Sequence, residues 1–290
     1  MDMGIVTNIK DLRPRRMVYK KEFPLISGGY SMRNVFPDGI VTVYPWDTEI
    51  DELLIDEAGK GGDEVVLTLL KRLVEFKDQP IDRFIYSEIN SVLLVARAIQ
   101  YGGNVTYTSL CPFCKNKAEE SLNIPFDLEP VGQKPKDYPG WDAITLPISQ
   151  DVVHIRPLEV QDHLSIKNRN EAQKEISDTI MFILVPIISV GGGKPETVHE
   201  LLQWYNALSP EDARYLADKE IELTPRLNSQ LEHKCDRCGH MFNHLLQFNQ
   251  KFFRARSGGE SGPTLETNVR DGVVGKGVHA KPRASARSNS

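Results

Sequence analysis

The sequence lacks an apolar run long enough to cross a membrane. Its longest apolar stretch, Ile180 to Ile188, is well below the roughly 20 residues that a membrane-spanning helix needs, and it predicts a buried helix instead. The N-terminal residues also lack the charged and apolar segments of a secretory signal peptide. We therefore expect no membrane insertion and synthesis in a reducing cytoplasm.

Motifs of the common enzyme classes are also absent. No Gly-x-Ser-x-Gly, His-Glu-x-x-His or Walker A pattern occurs, and these patterns mark serine hydrolases, zinc proteases and nucleotide hydrolases. The acidic residues between Asp47 and Glu57 repeat at helical spacing, which indicates a solvent-facing helix surface and not a catalytic pair. The sequence thus predicts a protein that is not an enzyme.

The excess of negative charge is small but argues against one class of partner. The 290 residues include 40 Asp and Glu against 35 Lys and Arg, which gives a net charge of −5. Nucleic-acid binding without sequence preference depends on neutralisation of phosphates by Lys and Arg. We expect no nucleic-acid partner, and the length allows one large domain or two smaller ones.

All four cysteines lie in two Cys-x-x-Cys motifs, far apart in the chain. The first motif contains Cys111 and Cys114, and the second contains Cys235 and Cys238. In a reducing compartment such pairs favour metal binding over disulfides. Four thiolates match a tetrahedral zinc ion and leave no open position for a catalytic water, so we predict a structural zinc site; iron accepts the same ligands.

Other interpretations of these motifs have less support. A redox-active dithiol would need a thioredoxin-like βαβ setting, which neither motif has. His233, His240 and His244 flank the second motif and could replace a cysteine as ligands. With four thiols available, we interpret these histidines as surface or supporting residues.

Hydrophobic periodicity predicts an α+β protein, with helices packed on short antiparallel sheets and a split zinc-ribbon-like site of four cysteines. Each cysteine motif lies between short strands and should form the turn of a hairpin. The predicted helices are 49–58, 63–76, 87–100, 159–172, 176–188, one that begins at Pro195, and 209–223. The predicted strands are 40–44, 105–108, 121–124, 143–148, 152–156 and 241–246.

Composition divides the chain into three parts. Residues 1–21 are polar and basic and form a predicted N-terminal arm. Residues 22–256 form the α+β domain, which is closed by the zinc site and carries a helical insertion at about 159–224. Residues 257–290 contain six glycines and no apolar periodicity, which predicts a flexible tail. We expect both terminal arms to become ordered on partner proteins.

An ordered set of segments resembles the baseplate hub proteins of T-even-type contractile-tailed bacteriophages. The set covers about residues 22–172. Its main part is a helix with an Ala96-Arg97 step, followed by Tyr101-Gly102, a strand and Cys111-Pro112-Phe113-Cys114. Two further parts are the segment 23–30 with the strand 40–44, and the strand 152–155 that leads into Arg156-Pro157.

The resemblance implies a structural virion or tail-assembly protein without enzymatic activity. Such a protein would lie in the tail baseplate of the virion, after assembly in the host cytoplasm. It would contact hub and spike subunits of the tail, and the tape measure is a further partner that the resemblance allows.

Two other functions remain open from the residues. The first is a zinc-ribbon nucleic-acid-binding or transcription-associated protein, which would need a basic face; Lys115, Lys234 and Arg237 are the basic residues nearest the motifs. The second is a metalloenzyme, which would need a metal position that protein ligands do not fill.

Overall fold

The computed structural model describes residues 20–45, 50, 52, 62–77, 79–169 and 175–246. The predicted C-terminal tail lies outside these ranges, as does the N-terminal arm except for its last two residues. The predicted helix at 49–58 falls outside them except for residues 50 and 52. No helix in the described ranges is long and apolar enough to span a bilayer.

The described residues form six α-helices and eleven short strands. The helices are α1 (Gly62–Leu73), α2 (Ile89–Tyr101), α3 (Val160–Lys167), α4 (Asp178–Leu184), α5 (Val198–Ala207) and α6 (Pro210–Leu223). The strands are β1 (Lys21–Pro24), β2 (Ile40–Val43), β3 (Asn104–Leu110), β4 (Lys117–Asn123), β5 (Pro130–Val131), β6 (Asp142–Thr145), β7 (Val152–Ile155), β8 (Ile187–Val190), β9 (Arg226–Leu227), β10 (Gln230–Lys234) and β11 (Met241–Leu245).

Every strand pair in these ranges is antiparallel. Four sheets have two strands each (β1–β2, β3–β4, β5–β9 and β10–β11), and one has three strands in the order β6–β7–β8. The predicted α+β class with short antiparallel sheets is therefore confirmed. Such small sheets cannot bury much surface alone, so the helices must supply the core.

The first hydrophobic core forms around α1 and α2. Five consecutive residues of α2, Val92 to Ala96, are all buried, so this helix lies inside the protein and not on its surface. Leu69, Leu70 and Leu73 of α1 are at most 1% exposed and pack in the same core. Val105 and Tyr107 of β3 and Leu246, just after β11, also belong to it.

The second core lies between the three-stranded sheet and helices α4 to α6. In β7, Val153 and Ile155 are buried while their neighbours are more exposed, as expected for a strand with one covered face. These residues pack with Leu184 of α4, Leu201 of α5 and Leu216 of α6. The second core therefore occupies the part of the chain between the two cysteine motifs.

The predicted helix at 176–188 is too long. Helix α4 ends at Leu184, and strand β8 begins at Ile187. Pro186 stands between them, and proline lacks the amide hydrogen that a continuing helix needs. The residues after Pro186 pair with β7 instead, with Val190 opposite Val153, and Ile187 is buried.

The predicted start of α6 is confirmed. Ser209 accepts a hydrogen bond from the backbone amide of Asp212 at 3.0 Å, and Pro210 occupies the first turn. This is the usual N-cap chemistry of an α-helix. The Asp212 side chain also accepts hydrogen bonds from the amides of Ile148 and Ser149, so the helix start is joined to the loop between β6 and β7.

A buried carboxylate connects the turn after β1 to α2. Glu88 is 1% exposed and accepts hydrogen bonds from the backbone amide of Ser27 at 2.9 Å and from its hydroxyl at 2.6 Å. Burial raises the pKa of Glu88 to about 7, although the Ser27 hydrogen bonds oppose the shift. The turn also needs glycine, because Gly29 has φ 65° and a Cβ there would lie 3.1 Å from the carbonyl oxygen of Phe36.

The return of the chain from α6 places the second cysteine motif beside the first. Strand β9 pairs with β5, with Leu227 opposite Pro130. The amide of Asn228 then donates to the carbonyl of Glu129 at 2.8 Å. Because β5 follows the first hairpin closely, these contacts bring β10 and β11 to the β3–β4 hairpin.

Candidate metal centre

Both cysteine motifs form the turns of antiparallel hairpins, as predicted. The first motif joins β3 to β4, where seven residue pairs run from Asn104↔Asn123 to Leu110↔Lys117. The second motif joins β10 to β11, with five pairs from Gln230↔Leu245 to Lys234↔Met241. Each turn therefore lies at the end of a hydrogen-bonded ladder that holds its two cysteines.

The two turns have the same backbone hydrogen bonds. In the first turn, the amide of Cys111 donates to the carbonyl of Asn116, and the amide of Lys115 donates to the carbonyl of Cys111. In the second, Cys235 donates to His240, and Gly239 donates to Cys235. Lys115 (φ 57°) and Gly239 (φ 70°) occupy equivalent left-handed positions, which glycine adopts without strain.

The four cysteine sulfurs converge between the hairpins. The Cys111 and Cys238 Sγ atoms lie 3.7 Å apart, and those of Cys114 and Cys235, 121 positions apart in sequence, lie 3.5 Å apart. All four lie within 4.8 Å of one another. A tetrahedral zinc ion with Zn–S bonds of about 2.3 Å holds its sulfurs about 3.8 Å apart. The donor set therefore fits a four-thiolate metal site.

Backbone amides favour the thiolate form of Cys235 in the second motif, whereas the pKa of its neighbour Cys238 is raised by desolvation and by contacts with the other sulfurs. The amides of Cys238 and Arg237 donate to the Cys235 sulfur, and these hydrogen bonds lower the pKa of that thiol to about 7. The thiolate is the form that binds a metal. Cys111 and Cys235 are buried, whereas Cys114 is half-buried and Cys238 is exposed, so one sulfur of each motif lies near the surface.

The flanking histidines lie outside the sulfur cluster. Within the described part of the chain, the four cysteines are the one group of metal-binding side chains with suitable spacing. His240 stacks on the exposed ring of Phe113 at 5.6 Å between ring centroids. His244 is buried and packs against Tyr107 at 5.1 Å. His240 and His244 therefore lie where we expected surface and supporting residues, and not among the sulfur atoms.

His233 has a role that sequence reasoning missed. Its Nδ1 atom lies 3.0 Å from the Glu120 carboxylate, and its Nε2 atom lies 3.0 Å from the Tyr107 hydroxyl. The Glu120 carboxylate also accepts hydrogen bonds from the hydroxyls of Tyr107 and Ser109, each at 3.0 Å. A side chain of β10 is thus bonded to the β3–β4 hairpin. We call His233, Tyr107 and Glu120 the polar lock.

The polar lock should stabilise the junction of the hairpins independently of the cysteines. Tyr107→Phe removes the hydroxyl that contacts both Glu120 and His233, and we expect it to lower the free energy of unfolding by about 1–2 kcal/mol. Denaturant unfolding at constant pH measures this loss. Tyr44→Phe is the matched control, because the Tyr44 hydroxyl bonds Glu75 at an exposed site and its removal should cost much less.

A double-mutant cycle tests the same contact directly. Tyr107→Phe and His233→Ala should show a coupling energy above about 0.5 kcal/mol if the two side chains interact. Strictly additive losses from the two substitutions would contradict the polar lock.

A cleft of about 330 Å³ lies beside the sulfur cluster, between β4 and β10. Four carboxylates line it, those of Glu119, Glu120, Glu232 and Asp236. Lys234 also lines the cleft, but four carboxylates outweigh its charge. The net negative lining repels phosphate groups, so this face does not favour the nucleic-acid-binding alternative.

The chain matches one protein family. The family model described as "T4 bacteriophage base plate protein" matches residues 37–254, a range that includes both cysteine motifs and ends before the predicted tail. No curated protein and no solved structure matches the chain significantly.

Proposed function

Because this chain belongs to the T4 bacteriophage base plate protein family, we propose that it is a non-enzymatic subunit of the baseplate hub whose two hairpins are joined by structural zinc. Membership of the family confirms the predicted relationship to T-even-type baseplate proteins and makes the chain a structural component of the phage baseplate and of the virion. The hub position, the zinc and the absence of enzymatic activity are the steps that we add.

The observation that supports a structural zinc is that four sulfurs from two hairpins, far apart in sequence, lie within 4.8 Å of one another. Cys111, Cys114, Cys235 and Cys238 would supply all four ligands, which leaves no open position for a substrate or a catalytic water. The metal would supply bonds between the hairpins and no reaction. The absence of common catalytic motifs also supports a structural role over an enzymatic one.

The position of the site indicates what the zinc would hold in place. The second hydrophobic core is built from residues between the two motifs, while β3, β10 and β11 are attached to the first core through Tyr107, Leu231 and Leu246. A metal bound at this junction would fix the hairpin pair as one rigid unit. Such a unit suits an assembly in which each subunit must present fixed surfaces to its neighbours.

The partners of a baseplate protein are other baseplate and tail subunits. We propose hub and spike subunits as the neighbours of this chain, with the tape measure as a further contact. We also propose that the terminal arms, residues 1–21 and 257–290, become ordered on these neighbours. Both arms carry more basic than acidic residues, six against two in 1–21 and five against three in 257–290. This charge would favour pairing with acidic surfaces of a partner.

Incorporation into particles tests the proposed function. Full-length chain supplied to a phage that lacks its own copy should be found in purified baseplates, at the hub and not at the periphery. Its position can be mapped by cross-linking mass spectrometry or by density for a labelled copy. A chain that is absent from the hub would contradict the hub assignment and leave the family membership intact.

Removal of residues 257–290 tests the role of the tail. We expect the shortened protein to fold and retain its metal, because the described core and all four cysteines precede the deletion. We also expect it to enter baseplates at least tenfold less efficiently than the full chain. Equal incorporation of both proteins, measured by quantitative mass spectrometry of purified particles, would show that the tail binds no partner needed for assembly.

A further inference from the structure

The short sulfur–sulfur contacts in the cluster run between the hairpins. Cys114 meets Cys235 at 3.5 Å, and Cys111 meets Cys238 at 3.7 Å. Each of these pairs combines one buried sulfur with one nearer the surface, because Cys111 and Cys235 are buried while Cys114 and Cys238 are accessible. A small oxidant can therefore reach one member of each pair while the other lies next to it.

We propose that the cluster is also a site of specific disulfide formation, in which Cys114 bonds to Cys235 and Cys111 bonds to Cys238 once the metal has been removed. The inference depends on the sulfur geometry and on no particular metal. Such disulfides could persist in a virion, because virion surfaces are among the oxidising environments in which disulfides are stable.

Thiol–disulfide exchange with a small disulfide, such as oxidised glutathione, gives a balanced reaction. The accessible Cys114 thiolate attacks one glutathione sulfur, forms a mixed disulfide and releases one glutathione thiolate. The Cys235 thiolate then attacks the Cys114 sulfur, forms the protein disulfide and releases the second glutathione thiolate. The protein loses two electrons and two protons per bond, and the oxidised glutathione gains them. Cys238 and Cys111 react in the same way.

The geometry favours these pairs because each brings two sulfurs from different hairpins within 3.7 Å of each other. A disulfide bond is about 2.05 Å long, so each pair of sulfurs must approach by about 1.5 Å. The product would join the same two hairpins that the metal joins, whereas disulfides within each motif would leave the hairpins unconnected.

Peptide mapping of the full chain tests the proposal. The purified protein is treated with a zinc chelator and oxidised glutathione, its remaining thiols are alkylated, and it is digested without reduction. Trypsin cuts at Arg237 and chymotrypsin cuts after Phe113, so the two cysteines of each motif are separated. We expect cross-linked peptides for Cys114–Cys235 and Cys111–Cys238, and an intact mass lower by four hydrogens.

Several results would overturn the proposal. These are disulfides within the motifs, Cys111–Cys114 and Cys235–Cys238, a mixture of all pairings, or four alkylated thiols after oxidation. The matched variants Cys114→Ser and Cys238→Ser sharpen the test. The first should form Cys111–Cys238 alone, and the second should form Cys114–Cys235 alone; a Cys235–Cys238 bond in the first variant would count against the geometry.

The test is independent of the proposed zinc role. Metal content is measured by elemental mass spectrometry before the chelator is added. A protein without metal would contradict the structural zinc and still give a disulfide map, while a zinc-loaded protein that forms disulfides within its motifs would contradict only this inference.

Discussion

Removal of the proposed zinc is expected to weaken the β10–β11 hairpin, which stays in place through the polar lock, and to leave both hydrophobic cores folded. Structural zinc supplies about 10 kcal/mol or more of apparent binding energy in zinc-finger peptides, which are unfolded without it. The β10–β11 hairpin has five residue pairs and no third strand among the described residues, and an isolated two-stranded hairpin is marginally stable at best. Helices α1 and α2 should persist, because their buried side chains form a core without the metal.

Hydrogen exchange after chelation measures this effect. We expect the amides of β10 and β11 to lose at least tenfold in protection, while those of α2 keep most of theirs. Cys111→Ser should reproduce the result without a chelator, since it removes one buried sulfur of the proposed zinc site. Asp236→Asn is the control, because Asp236 lies in the second turn and is exposed but supplies no sulfur. Unchanged exchange in β10–β11 of the metal-free protein would show that the polar lock alone holds the hairpin.

Stability should fall as the pH rises through neutrality, because Glu88 is buried. Its pKa is about 7 in the folded protein and 4.5 in the reference state, so between these values the folded state binds the proton more tightly than the unfolded state does. The contribution is fully present below about pH 4.5 and is lost as the pH rises through 7. At 1.36 kcal/mol for each pKa unit, the loss is about 3 kcal/mol.

Glu88→Gln isolates this contribution. The amide cannot ionise and can keep a hydrogen bond to the Ser27 backbone, so the free energy of unfolding should vary less with pH between 5 and 8 than in the original protein. Denaturant titrations at several pH values give the two slopes. Glu119→Gln makes the same charge change at an exposed site and provides the reference. Equal slopes for Glu88→Gln and the original chain would show that Glu88 does not control the pH dependence.

The cysteine site was largely predictable because its residues allow few arrangements. Two Cys-x-x-Cys turns and no other cysteine leave one obvious four-sulfur cluster, and the flanking strands predict the hairpins. The helix start at Ser209 was predictable for a similar reason, since an N-cap depends on residues within one turn. In each case the chemistry acts over a few neighbouring positions, and neighbouring positions are visible in a sequence.

Prediction failed where a distant partner determined the structure. The apolar run up to Ile188 has the composition of a helix, but Pro186 divides it, and β7 offers a pairing edge to the residues that follow. Glu88 falls in the ordinary amphipathic helix predicted over 87–100. In the structure it lies directly before α2, and its burial depends on a turn about 60 positions earlier, where Ser27 donates hydrogen bonds to it. The sequence does not reveal that β7 pairs with the residues after Pro186 or that Ser27 bonds to Glu88, because both contacts depend on how distant segments pack.

At the candidate metal site, too, the sequence predicted some features and only the tertiary structure revealed others, among them the polar lock. The sequence alone predicted the two cysteine turns, and the segments around the first turn indicated the family. The contacts of His233 with Tyr107 and Glu120 required the tertiary structure, because they depend on which face of β10 meets β3 and on the register between two hairpins. Residue spacing along the chain defines the turns and the strands. The β3–β4 and β10–β11 hairpins are separated in sequence by the residues of the second hydrophobic core, so their relative placement depends on how those residues pack.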